Sequence, residues 1–328
     1  MPQLNDLRKD LKFNGELLSL VDTLKNVAGA QYHTLEKQKE RFDEFMLAFR
    51  EFFRVVNMVE VINPLVKVSS DILGIVVVTS DSGFMGGLNQ GVIRAGLAVQ
   101  GDIPDDKVSY VIIGEKGGAA FRDKRKKFKF FRGISQDTIF EQATEIRDYI
   151  VKEVLEGRMG KVIVAYPKPL SFTAQTIETV NILPCQALYE EKEKEGEAKP
   201  DAKSTASSKF IKASRSVIVE SSYDDMVEYL ASVWVTSELY IVFEDSKLAE
   251  FSARATHLEG SIQKVQKEHK KLKHLCFKAT HEKIDKGMRE SYSAKMIKEK
   301  KNKRKKVKDK GDAIIAAEAA VVAAASAA

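Results

Sequence analysis

Both ends of the chain carry apolar side chains in steps of three and four, separated by lysine, glutamate and glutamine. This spacing keeps one side of a helix apolar over many turns, which is typical of a coiled-coil seam. Because no proline occurs between residues 3 and 63, we predict an N-terminal coiled-coil helix over residues 1–62. We assign its seam to Leu17, Leu20, Leu24 and Val27, followed by Phe42, Phe45, Phe49, Phe52 and Val56.

The C-terminal repeat is the more regular of the two and predicts a second helix over residues 221–294. Its members step by four and three without a break: Phe251, Ala255, Leu258, Ile262, Val265, His269, Leu272 and Cys276. We interpret His269 as a polar residue that sets the register, rather than as a metal ligand, because the other histidines do not cluster on its face. Winding the two helices together as an antiparallel coiled coil would bury both seams.

The central residues, 70–220, change to short β-branched runs, of which "DILGIVVVTS", "KVSYVIIGEKG" and "GKVIVAYPKPLSF" are the clearest. Helical stretches separate some of these runs, so we predict a mainly parallel, Rossmann-like sheet. Residues 190–209 are polar and charged and predict a flexible insertion, with residues 216–220 as a further edge strand. The predicted fold class is therefore α/β, with long N- and C-terminal helices forming an antiparallel coiled coil.

Positive charge is concentrated near the C-terminus, where residues 295–310 hold ten Lys and Arg against two acidic residues, a local charge of +8. Since the whole chain carries +6, the remainder is close to neutral at about −2. Residues 295–328 are therefore assigned to a Lys-rich and then Ala-rich tail. No apolar run reaches the roughly 18–20 residues that span a bilayer. The N-terminus has no signal or transit pattern, so we expect a soluble cytoplasmic chain.

The stretch "VVVTSDSGFMGGLNQGVI", residues 76–93, places glycines between an apolar run and a helix, as phosphate-binding loops do. A Walker loop needs Lys and then Ser or Thr after its last glycine, whereas Gly87 is followed by Leu88 and Asn89. We therefore interpret the stretch as a tight strand-to-helix turn with Asn89 as a helix cap. We expect no catalytic residues, no cofactor and no metal.

The same stretch resembles a signature segment of the gamma subunit of F-type ATP synthases, and three further stretches resemble that family in the same order. The resemblance covers roughly residues 4–294 and weakens at both ends, where Asp22 replaces a usual basic residue and Gly287 replaces a glutamate. The matching residues are Thr79, Asp81, Gly83, Gly86, Gly87, Leu88 and Asn89; Ile113, Gly114, Lys116 and Gly117; Lys168, Ser171, Gln175, Thr176, Leu183 and Pro184; Ser246, Glu250, Ala253 and Arg254; and Ile284 and Glu290.

The resemblance implies a non-catalytic central-stalk rotor, turning inside a ring of alpha and beta subunits to couple proton or sodium flow to ATP synthesis or hydrolysis. It implies contacts with an epsilon-like subunit and with a membrane ring of c subunits, at the cytoplasmic face of a bacterial inner membrane, and no direct nucleotide binding. The family's C-terminal helix ends in or above an apolar sleeve. The lysine run must therefore emerge beyond such a sleeve or meet acidic groups, because unpaired charges are costly to bury.

Another class remains open from the residues alone, a basic coiled-coil protein that binds nucleic acid. The stretch "FRDKRKKFKFFRG", residues 121–133, interleaves cations with phenylalanine, a composition that could pair phosphates and stack bases. The alternative for this stretch is a helix end followed by a strand with a solvated face, which we favour.

The turn at residues 79–89 generates the first testable prediction. Because no Lys, Ser or Thr follows Gly87, we expect the isolated protein to bind ATP or NAD with a dissociation constant no tighter than about millimolar. Titration calorimetry measures this directly. Micromolar binding that Gly86→Val abolishes would show that the turn is a nucleotide site.

Overall fold

The computed structural model describes residues 4–56, 63–68, 70–124, 126–185 and 223–325. The first and last of the described elements along the chain are two long helices, α1 (Leu4–Val56) and α5 (Tyr223–Ala325). The intervening elements are β1 (Leu73–Val78), α2 (Leu88–Gln100), β2 (Val108–Ile113), α3 (Glu115–Asp123), β3 (Phe128–Phe131), α4 (Ile139–Leu155), β4 (Lys161–Pro169) and β5 (Gln175–Leu183). The predicted insertion at 190–209 and edge strand at 216–220 lie outside the described residues.

The five strands form one sheet in the order β3-β2-β1-β4-β5, parallel except where β5 pairs antiparallel with β4. This confirms the predicted α/β class with a mainly parallel sheet. The strand order reverses at β1: β2 and β3 are added on one side of β1, and β4 and β5 are added on its other side. In open α/β sheets, the crevice at the carboxyl ends of the strands at such a reversal is the usual place for a ligand.

Both faces of the sheet are covered, as a parallel sheet requires. Along β1, Ile75 and Val77 face α2 and α3, whereas Val76 and Val78 face α4 and α5. Alternate side chains of a strand point to opposite faces, which is why a short run of β-branched residues serves both layers. Cys185 is buried against the second layer, and burial raises the pKa of its thiol to about 12. It is therefore a protonated core residue.

The chain divides into two compact units, residues 20–262 in one and residues 1–19 with 263–328 in the other. In the larger unit α1 and α5 run antiparallel. Lys25 Nζ lies 3.1 Å from Glu259 Oε2, and further along α1 Gln31 lines one cleft together with Phe251. The predicted seam of α5 is confirmed in this unit, where Phe251, Ala255, Leu258 and Ile262 are all buried.

Over residues 20–35 the buried face of α1 differs from the predicted one, whereas Leu17 is half-buried. The burial of the predicted seam residues Phe42, Phe45, Phe49, Phe52 and Val56 lies outside what the structure describes. Leu20, Leu24 and Val27 are 58%, 39% and 50% exposed. Val21, Lys25, Ala28, Tyr32 and Leu35 are shielded in this part of α1 and also step by four and three, with Gly29 and Gln31 half-buried beside them. This register is hard to recognise in the sequence because one of its seam positions is a lysine. The aliphatic stem of Lys25 occupies the seam, while its ammonium group reaches the carboxylates of Asp22 and Glu259.

In the smaller unit, Val265, His269, Leu272 and Cys276 of α5 are the partly shielded positions, as predicted. A Cβ at Gly15 of α1 would lie 3.8 Å from His269 Cε1, so the two helices are in contact here. Asn14 Oδ1 and His269 Nδ1 are both buried without a hydrogen-bond partner among the described residues. The seam therefore contains a polar layer, and a role for His269 in setting the register stays a prediction.

The helix α5 does not stop at residue 294 but continues to Ala325. From His281 to Lys308 every side chain is exposed. Within the described ranges, no helix is both long and apolar enough to cross a membrane.

Burial at the two candidate faces predicts different losses of stability. We expect Leu258→Ala, at a residue 1% exposed, to lower the free energy of unfolding by about 2–5 kcal/mol, because it leaves a cavity in the seam. The matched change Leu20→Ala should cost less than about 0.5 kcal/mol, because that side chain is exposed. Urea unfolding followed by circular dichroism compares them, and equal losses would place Leu20 in a seam.

Candidate functional site at the carboxyl ends of the strands

Thr79, the first residue after β1, joins two segments of the sheet edge. Its buried hydroxyl donates to Ile113 O at 2.7 Å and accepts from Gly117 N at 2.9 Å. A Cβ at Gly117 would lie 2.6 Å from this hydroxyl, and a Cβ at Gly114, where φ is +94°, would lie 2.3 Å from Thr79 O. Both positions therefore need glycine, the second for its backbone conformation as well as its size.

Asp81 ties the same turn to two more segments. Its Oδ1 accepts from Glu115 N at 2.8 Å, at the start of α3, and from Gly133 N at 3.0 Å, in the loop after β3. A carboxylate is favourable at a helix N-terminus, where backbone N–H groups lack partners within the helix. Lys116 takes part through its backbone, whose N–H donates to Ser80 O at 3.1 Å. The amides of Glu115, Lys116 and Gly133 at this edge are thus bonded within the protein.

Asn89 does not cap α2, contrary to the sequence-based interpretation. The cap position is Gly87, and Asn89 lies in the first turn of the helix. Its Oδ1 accepts from Ser80 N at 3.2 Å, and its Nδ2 donates to Ser80 Oγ at 2.9 Å. Because α2 begins at Leu88, Asn89 is already part of the helix, and its side chain bonds back to Ser80 in the turn after β1. Asn89 therefore stabilises the turn from inside the helix. Gly83 and Gly87 border open space, and Leu88 is half-buried.

The helix α5 covers the crevice at the strand reversal. Arg254 Nη2 donates to Ser82 Oγ at 2.9 Å, and a Cβ at Gly86 would lie 3.4 Å from His257 Cδ2. At the start of β5, Gln175 Nε2 donates to Ser252 Oγ at 2.9 Å. Between α5 and the end of β1, beside Thr79 and Ser80, the remaining cavity is about 10 Å³, which at most admits a single water. A second, open cleft of about 430 Å³ lies beside it, between Ser82 and Arg254.

Three charged side chains lie on the covering face of α5, at a spacing of three and four residues. Glu250 accepts from Lys247 Nζ at 2.8 Å and from Arg254 Nη2 at 2.6 Å, and all three side chains are at most 16% exposed. Both cations also approach the Phe251 ring, at 5.3 and 6.0 Å from its centroid. Removing one member would leave a poorly hydrated charge without its partner. We call this group the charged triplet.

Sequence reasoning found part of this site. It singled out Glu250 and Arg254 but missed Lys247 and Ser252, although a Lys, Glu and Arg at i, i+3 and i+7 were a visible signal. Ile284 and Glu290, also singled out, belong to the other unit, where Ile284 is 53% exposed and Glu290 lies 4.0 Å from Lys286. Among the described residues, no group of three or more His, Cys, Asp or Glu is placed to hold a metal ion.

The basic aromatic stretch at residues 121–133 is built into the fold. Phe121 is buried against Tyr110, and the rings of β3 are half-buried. Lys126 pairs with Asp105 at 2.5 Å, and together with Gln100 it holds the pKa of that carboxyl below its usual range. Burial raises the pKa of Tyr110 to about 12. The rings therefore serve the core instead of forming a platform for bases, as the favoured interpretation expected.

The sequence model of the family described as ATP synthase matches residues 3–310. The chain belongs to this family. The ATP synthase gamma chain of Desulforudis audaxviator is 26% identical over 273 residues, covering 80% of this chain and 87% of the relative. That of Chlorobaculum tepidum is 25% identical over 281 residues, with 81% and 88% covered. Within the ATP synthase family this chain is a central-stalk subunit of the gamma type, which is not itself catalytic.

The fold is likewise that of an ATP synthase stalk. A chain of the Euglena gracilis mitochondrial ATP synthase rotor, solved by cryo-EM, matches with a TM-score of 0.59 at 15% identity, covering 86% of this chain and 98% of the other. This ATP synthase family member therefore keeps the fold of a rotor chain at low sequence identity. The carboxyl end of β1, in turn, is covered by the chain's own helix α5.

The Thr79 hydroxyl generates a prediction about the turn. Thr79→Val keeps the shape but removes one donor and one acceptor, leaving Ile113 O and Gly117 N short of a buried partner. We expect a loss of about 1–3 kcal/mol in the free energy of unfolding. Thr79→Ser keeps the hydroxyl and should recover most of that loss. Urea unfolding compares the three proteins, and a loss in Thr79→Ser without a loss in Thr79→Val would mean that the methyl group matters instead of the hydrogen bonds.

Proposed function

We propose that this chain turns as the rotor inside a ring of alpha and beta subunits, and that the contacts between α5 and the sheet edge are its torque-bearing joint. The observation that carries this proposal is that α5 lies across the carboxyl end of β1, where it leaves a cavity of only about 10 Å³ beside Thr79. An α/β domain that holds its own helix where others hold a substrate is suited to a mechanical role, since fold alone does not fix function.

Two separate attachments favour a joint that resists rotation about the axis of α5. Arg254 reaches Ser82 in the turn after β1, and Ser252 meets Gln175 at the start of β5. These strands lie on opposite sides of β4 in the sheet. A helix fixed at two points on different strands cannot turn without breaking one of them, and the largely buried charged triplet is weakly screened by salt.

The rotor role also implies which subunits the chain contacts. The sheet domain would act as the foot, docking on a membrane ring of c subunits and on an epsilon-like subunit, while the terminal helices form the shaft inside the alpha and beta ring. The complex would couple proton or sodium flow to ATP synthesis or hydrolysis.

The chain is a peripheral subunit, and we place it at the cytoplasmic face of a bacterial inner membrane, which its relatives in Desulforudis audaxviator and Chlorobaculum tepidum support.

The joint is tested in a complex reconstituted with alpha, beta, epsilon-like and c subunits. We expect Arg254→Leu to keep ATP hydrolysis but to lose most ATP-driven ion pumping, because it breaks the bond to Ser82 and unbalances the charged triplet. The matched change Arg94→Leu should affect neither rate, because this exposed arginine bonds, among the described residues, to Gln90 O of its own helix. Quenching of a pH-sensitive dye measures pumping alongside phosphate release.

Two results would count against the proposal in different ways. Full pumping by the Arg254→Leu complex would remove the joint from the mechanism. Failure of the unaltered chain to co-purify with alpha and beta subunits would remove the rotor role itself.

A further inference from the structure

The last part of α5 lies beyond the reach of the coiled coil. In the smaller unit, positions of α5 facing α1 are partly shielded as far as Thr280, and from His281 to Lys308 all side chains are exposed. The helix nevertheless continues without a break to Ala325. A long single helix without tertiary contacts is marginal in water, because most helical stability in proteins comes from packing. This part of α5 therefore calls for a partner outside the chain.

The positive charge of residues 295–310 is a second reason to expect a partner outside the chain. Ten Lys and Arg stand against two acidic residues, and no ion pair forms among the described side chains of this segment. Cations such as Lys300 and Arg304, or Lys301 and Lys305, are neighbours on the helix at i and i+4. Each such pair costs about 0.2–0.5 kcal/mol. Neutralisation by carboxylates from outside would remove this cost and favour the helix that the chain adopts.

The cations cover every side of the helix. At 3.6 residues per turn, one face carries Lys298, Lys301, Lys305 and Lys308, and the opposite face carries Lys300, Lys303, Lys306 and Lys310. A flat anionic surface such as a membrane reaches only one face at a time. A partner that surrounds the helix reaches both, so the distribution of charge favours an enclosing surface.

The composition of the segment favours a protein over a nucleic acid. Nine of its ten cations are lysines, and no aromatic residue occurs after Tyr292. Recognition of nucleic acid typically uses the bidentate arginine fork and aromatic stacking, and the segment offers one arginine and no ring. Lysine ammonium groups on flexible stems suit carboxylates presented from several directions.

We propose that residues 295–310 are held in an acidic collar, a concave protein surface lined with Asp and Glu that encloses the helix over about 24 Å. This inference rests on the proposed function, in which the alpha and beta ring surrounds the shaft and is the part of the complex that supplies the collar. It selects one of the two alternatives that the sequence left open for the lysine run.

Zero-length crosslinking with a carbodiimide tests the collar, because this reagent joins lysine amines only to carboxylates in direct contact. The purified complex of alpha, beta and this full-length chain is crosslinked and the products are mapped by mass spectrometry. We expect lysines of both faces to be joined to Asp or Glu of the ring. Two matched variants replace four lysines by glutamine, K298Q/K301Q/K305Q/K308Q on one face and K300Q/K303Q/K306Q/K310Q on the other.

Each glutamine variant should lose the crosslinks of its own face and should make the tail more sensitive to subtilisin to a similar degree. The corresponding arginine variants lose the crosslinks but keep the charge, so their tails should stay protected. Sensitivity caused by one glutamine set alone would indicate a flat surface and overturn the collar. Absence of crosslinks to the ring, or tail-dependent binding of anionic vesicles or polynucleotide by the complex, would also overturn it. Co-purification with alpha and beta subunits would still stand in those cases, so the rotor role is judged separately.

Discussion

The contact between α5 and the crevice of the sheet determines how residues 20–262 are arranged. The turn after β1 bonds to α3 through Thr79 and Asp81, to α2 through Asn89, and to α5 through Ser82. The turn therefore contacts three helices at once, and α5 lies across the carboxyl end of β1.

The charged triplet makes the contact between α5 and the sheet specific in its geometry. Buried ion pairs contribute little net stability compared with apolar packing, since both groups lose hydration. Their geometry, however, is specific, because Glu250 must satisfy Lys247 and Arg254 together. The ion pairs of the triplet lie within α5, so their role is to hold the Arg254 guanidinium where it donates to Ser82 Oγ. That bond and the one from Gln175 to Ser252 hold α5 at one rotational setting on the sheet. Such a setting is what a joint between a shaft and a foot requires.

The sequence predicts the elements of this fold better than their contacts. The strands β1 and β2 were predictable because buried parallel strands are short β-branched runs, and the seam of α5 because its apolar steps are unbroken. The α1 seam was assigned to Leu20, Leu24 and Val27 because Lys25 occupies a true seam position and breaks the apolar pattern. Lys247 was passed over for a similar reason, since a charge on a helix is ordinarily solvated and only the fold shows which charges are covered.

Rotation of the sheet domain is the most direct test of the central claim that the sheet domain and α5 move as one rotor. With the alpha and beta ring fixed to a surface, a probe attached in the loop between β4 and β5 can be followed by single-molecule microscopy during ATP hydrolysis. If the sheet domain and α5 move as one rotor, the probe rotates stepwise in one direction. A probe that stays still while the complex hydrolyses ATP would contradict it.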